Sequence, residues 1–81
     1  MDDIIKAIEA RIWNAQERYG NFASTHEALG VMMEEWDELR DEIRANNFSA
    51  IVHECCDLAA VLIRIARDIS TNEGTQKRSM K

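Results

Sequence analysis

No proline interrupts the 81 residues, and apolar side chains recur at alternating three- and four-residue intervals in three successive runs. That rhythm matches the 3.6-residue period of a helix and not the two-residue period of a strand, so the chain is read as all-α. The first run, Ile5, Ile8, Ile12, Ala15 and Tyr19, is predicted to start near Asp2 or Asp3, either able to cap an N-terminus, and to stop at Gly20. The second opens at Ser24-x-x-Glu27, a capping box, and carries Leu29, Met32, Trp36, Leu39 and Ile43 as its expected core face. The third is expected to begin at Asn47 or Ser49, to bury a stripe of Ile51, Cys55, Leu58, Leu62, Ile65 and Ile69, and to fade near Ser70-Thr71-Asn72. Residues 1–72 then form one domain, and the polar, glycine-containing stretch 73–81 reads as a disordered tail.

Three helices of this length, packed antiparallel at a shallow angle, bury little apolar area for a lone monomer with a cleft. The expected architecture is a three-helix antiparallel protomer that assembles into a helical-bundle homodimer or a dimer of dimers. Trp13 points away from the Ile5/Ile8/Ile12 stripe and fits an interface. A net charge of −5 argues against a nucleic-acid polymer as partner. No apolar run is long enough to span a membrane and the N-terminus does not resemble an export signal, so the expected location is cytoplasmic. Cys55 and Cys56 are adjacent, a spacing that suits neither a mutual disulfide nor a zinc or redox pair; Cys55 is read as core and Cys56 as lying near a polar strip.

Chemistry concentrates in two acidic pairs, Glu35-x-x-Glu38 and Glu54-x-x-Asp57, on consecutive helices. Glu38 and Glu54 each lie eight residues from Asn46, and Glu35 and Asp57 each lie eleven. An antiparallel hairpin turning there sets Glu38 against Glu54 and Glu35 against Asp57, in layers about 4.5 Å apart. Spacing alone is weak, because 15 acidic residues in 81 yield roughly three such pairs by chance. Placement adds weight: Glu54 projects at the edge of the third apolar stripe, beside Leu58 and Val61, where an unpartnered carboxylate is costly. Asp57 lies about 60° further round, bordering a polar strip of His53, Cys56, Arg64 and Arg67. Clustered carboxylates repel unless a cation sits among them, and oxygen-only ligation favours Mg²⁺ or Mn²⁺ over zinc. His53 has i,i+4 spacing to Asp57, yet the simpler reading leaves both it and His26 outside the ligand set; no Glu-x-x-His pair marks a di-iron bundle. Met32 and Met33 read as packing residues.

The run Ser24-Thr25-His26-Glu27-Ala28-Leu29-Gly30-Val31-Met32-Met33-Glu34-Glu35-Trp36-Asp37-Glu38-Leu39, followed by Glu54-Cys55-Cys56-Asp57-Leu58-Ala59-Ala60-Val61 and Ile63-Arg64-Ile65-Ala66, resembles the MazG-like all-α nucleotide pyrophosphohydrolases, in particular their short phage and mobile-element forms. The resemblance spans about residues 10 to 68 and rests on E-E-x-x-E at Glu34, Glu35 and Glu38 and E-x-x-D at Glu54 and Asp57. It implies Mg²⁺-dependent cleavage of (deoxy)nucleoside triphosphates between the α and β phosphates, by dimers or dimer pairs.

On that reading Glu35, Glu38 and Asp57 are the main metal ligands, with Glu54 a ligand or close partner. One of Glu34, Glu35 or Glu38 orients or deprotonates the attacking water, and Arg64 neutralises phosphate charge. Longer relatives carry a further helix or basic segment after the third helix; here only Lys77, Arg78 and Lys81 are at hand for that role. The competing expectation is a non-catalytic helical dimerisation module, which gives no reason for a carboxylate beside Leu58 and Val61.

Overall fold

The computed structural model describes the backbone of residues 1–76 and the side chains of residues 1–71. It consists of three helices, α1 (Asp2–Tyr19), α2 (Thr25–Arg44) and α3 (Phe48–Gln76), with no strand among the described residues. The three-helix, all-α reading holds at that level. Both α1 and α2 pack on α3, while their backbones stay apart from each other, so α3 forms the floor of a cleft walled by its two neighbours.

Local sequence accounts for most boundaries. Ser24 Oγ accepts the Glu27 N–H at 3.1 Å, and the Glu27 carboxylate reaches back to accept the Ala23 N–H at 2.8 Å, so both ends of the capping box are in use. Gly20 ends α1 at φ 70° and ψ −157°, a combination that a side chain strongly disfavours and that lies outside the left-handed helical basin usual for helix stops. Asn47 Oδ1 lies 3.4 Å from the Ala50 N–H and caps α3.

Two boundary expectations need correction. Asp2 and Asp3 sit inside the first turn of α1, where their charge complements the helix dipole, while Met1 occupies the cap position without a side-chain bond. And α3 does not fade at residues 70–72: it continues to Gln76, so residues 73–76 of the expected tail are helical, and 77–81 lie outside the described residues. Ser70 and Thr71 hydroxyls donate back to the Arg67 carbonyl, at 3.1 and 2.6 Å, and so bond within the helix instead of breaking it.

The larger correction concerns which face of each helix points inward. The buried apolar residues are Ala28, Cys56, Ala60 and Val61, joined by Arg64 and Asp68. On α3 these occupy the side expected to be polar, whereas Leu62 and Ile69 of the expected core stripe are 46% and 39% exposed. The cysteines are exchanged accordingly: Cys56 is buried and Cys55 exposed. On α2, Leu29, Trp36 and Ile43 are about half exposed, and only Ala28 is buried. Small residues at Cys56 and Ala60 let α3 approach its neighbours closely, and the bulky apolar stripes are left at the border, with Ile51, Leu58, Ile65, Met32 and Leu39 half-buried.

Candidate metal and phosphate site

The α2–α3 hairpin turns through Ala45–Asn47, with Asn46 at φ 55°, a conformation asparagine tolerates better than most residues. This short connection sets the register: Glu38 and Glu54 meet across it as predicted, whereas Glu35 joins those two and shares no close group with Asp57. Glu35, Glu38 and Glu54 each offer a carboxylate oxygen with all three oxygens within 4.8 Å of one another. A second group, His53, Glu54 and Asp57, meets the same condition, so Glu54 belongs to both. The four carboxylates therefore form two overlapping groups, and His53, set aside in the sequence reading, stands in one of them.

The electrostatics follow from that crowding. Burial, then the charges of Glu38, Asp57, Glu54 and Glu34, push Glu35 from the usual 4.5 up to about 7. Glu54 is raised as well, by burial first, then by Glu38 and by contact with Asp57. Glu35 Oε2 and Glu54 Oε1 are both shielded from solvent without a hydrogen-bond partner. Two inward-facing carboxylate oxygens lacking donors, from helices on opposite sides of one hairpin, match what a hard divalent cation requires. Glu34 and Glu38 are exposed at the rim.

Asp57 has a partner that the sequence did not announce. Arg11 reaches from α1 to donate through Nε to Asp57 Oδ1 at 2.5 Å, through a terminal nitrogen to His53 Nδ1 at 2.8 Å, and through the other to the Ala7 carbonyl at 3.0 Å. A guanidinium has no acceptor, so His53 Nδ1 accepts; the His53 Nε2–H then faces Asp57 Oδ2 at 3.3 Å.

Arg64, the predicted phosphate ligand, lines the same cleft as Glu35 and Asp57. It is buried, donates to the Gly20 carbonyl at 3.1 Å and stacks over the Phe22 ring at 4.4 Å. One turn on, the buried Asp68 carboxylate accepts the Phe22 N–H at 2.9 Å. Together they clamp the α1–α2 loop onto α3 and shape one end of the cleft. That cleft, about 1270 Å³, has Glu35 and Asp57 in its lining together with Arg11, Arg64, Tyr19 and Phe22. It thus brings two of the four acidic residues together with arginines and aromatic rings. Lys77, Arg78 and Lys81 lie outside the described residues.

Comparison with protein-family models, with curated proteins and with solved structures finds no match to this chain. The residues of the cleft carry the functional argument.

Proposed function

We propose that this chain is a Mg²⁺-dependent nucleotide pyrophosphohydrolase of the MazG-like kind, which cleaves (deoxy)nucleoside triphosphates to monophosphate and pyrophosphate as a cytoplasmic homodimer or dimer of dimers. The observation that carries the reading is the pair of shielded, partnerless oxygens of Glu35 and Glu54 within a four-carboxylate cluster at the edge of a cleft that also holds arginines and aromatic rings. No helix among the described residues is long and apolar enough to cross a membrane.

Glu35, Glu38 and Asp57 would hold the cation, with Glu54 a further ligand or their close partner, and Mn²⁺ could take the place of Mg²⁺. When bound, the cation supplies positive charge against the phosphates and acidifies water for attack. One of Glu34, Glu35 and Glu38, whichever the cation leaves free, orients or deprotonates the attacking water. Glu34 lies exposed at the rim beside the other two. The Arg64–Asp68 clamp keeps the Phe22 loop in place as the wall against which the nucleoside lies. The decisive assay is pyrophosphate release from a panel of ordinary and modified nucleotides with Mg²⁺; no release from any of them removes the reading.

A pH effect follows without substrate. Because the folded protein protonates Glu35 near pH 7 and the unfolded chain only near 4.5, the folded state binds more protons between those values. Stability of the cation-free protein therefore rises as pH falls from about 7 towards 4.5, and Glu54 acts in the same direction. Other carboxylates titrating at the lower end of that window favour a comparison of pH 8 with pH 6. Millimolar Mg²⁺ competes with the same protons, so it should raise the melting temperature at pH 8 by about 5 °C or more, the response of a domain this size to roughly 1 kcal/mol. The rise should be smaller at pH 6. Equal stabilisation by NaCl at matched ionic strength would reduce the cluster to a screened acidic face.

A further inference from the structure

The cation reading leaves one charge out of place. Asp57 is an expected ligand, yet its Oδ1 is held by Arg11, which is itself only about a quarter exposed. A guanidinium stays charged at any pH a protein tolerates, so Arg11 cannot retreat by losing a proton when a divalent cation takes Asp57. It needs another anion, and the cleft it lines is where a triphosphate would lie. Arg64 lines the same cleft but is tied to the α1–α2 loop, through one terminal nitrogen on the Gly20 carbonyl and its guanidinium plane over Phe22, and unlike Arg11 it is not paired with a carboxylate of the cluster.

We propose that Arg11 is the exchangeable counter-cation of the site: it neutralises Asp57 while no divalent cation is present, yields that carboxylate when one binds, and turns its guanidinium to the phosphates of the substrate. This rests on the cation-binding reading above and adds to it a phosphate-binding residue on α1. Arg11 links the two binding events: the cation that anchors the phosphates also frees the arginine that grips them. His53 completes the exchange, because the Nδ1 that accepts from Arg11 loses that donor in the same step.

The test uses the full chain and Mn²⁺ alone, followed by Mn²⁺ with a triphosphate analogue carrying a non-hydrolysable α–β linkage. Calorimetric titration of Arg11→Gln should show Mn²⁺ binding about tenfold tighter than in the wild type, since the competitor for Asp57 is gone. Arg18→Gln removes the same charge from the same cleft without touching Asp57, and should change Mn²⁺ affinity by no more than about twofold. With Mn²⁺ saturating, Arg11→Gln should bind the analogue at least tenfold more weakly. In ¹⁵N-labelled wild type, the Arg11 Nε–H resonance should move on addition of Mg²⁺ and again on addition of the analogue.

If Arg11 is only a structural tie between α1 and α3, Arg11→Gln melts lower by the same amount with and without Mn²⁺ and its Mn²⁺ affinity is unchanged. That result overturns the inference. Wild type that binds no Mn²⁺ overturns the cation reading itself, and equal tightening by Arg18→Gln shows a general field effect instead of exchange at Asp57.

Discussion

Glu38→Gln and Asp57→Asn are each expected to lower pyrophosphate release by two orders of magnitude or more, about 3 kcal/mol or more of lost transition-state stabilisation. Both changes preserve shape and remove one charge from the overlapping carboxylate groups. The fold should survive both. For Glu38 the reason is exposure at the rim and relief of repulsion on Glu35 and Glu54. For Asp57 the amide oxygen can still accept from Arg11, although the charged part of that bond is lost. Glu42→Gln is the control, one turn beyond Glu38 on α2 and outside both groups. It should stay near wild type. Damage from Glu42→Gln equal to that from Glu38→Gln, or full activity in both site variants, would place the chemistry elsewhere.

The second large effect concerns the outward apolar face. Trp36 and Leu29 on α2, with Leu62, Ile69 and Val52 on α3, are each 39% to 51% exposed in the protomer. If a partner copy covers these side chains, it buries what the hairpin itself does not. Leu62→Asp would then place a charge in an apolar contact with nothing to pair it, a cost of several kcal/mol in association, which corresponds to a hundredfold or greater rise in the dimer dissociation constant. Light scattering of the wild type at micromolar concentration should give a dimer or tetramer mass, and Leu62→Asp should shift it to monomer. A wild type that is a compact monomer under those conditions would leave the face without a partner copy.

What was legible in the sequence was local or fixed by a short connection. The Ser24/Glu27 box and the Gly20 stop depend on atoms within four residues, and both are in place. The facing of Glu38 and Glu54 follows from an antiparallel hairpin with almost no slack in its turn, and those two carboxylates do meet. The inward face of α3 was not legible. A helical wheel points to the most apolar side, Cys55 through Ile69, whereas the protomer packs on the side of its small residues, Cys56 and Ala60, and buries Arg64 and Asp68 beside them. Periodicity reveals that a face is apolar but not which neighbour covers it. Arg11 was hidden for another reason: its partner is 46 residues away, and that pairing is set by how α1 lies on α3, which no local pattern encodes.

The confinement of all four carboxylates to the α2–α3 hairpin bears on how the molecule is made. Residues 35 to 57 are close in the chain, so the hairpin can zip from its turn with little loop-closure entropy, before residue 11 has been brought back from the far end. At that stage like charges are drawn together with their internal neutraliser still absent, and the repulsion opposes the last steps of zipping. A divalent cation present during refolding would act there, speeding hairpin closure more than it slows unfolding, so the folding arm of a chevron plot should move with Mg²⁺. The carboxylates that repel one another are thus close in sequence, whereas the arginine that neutralises Asp57 comes from 46 residues away.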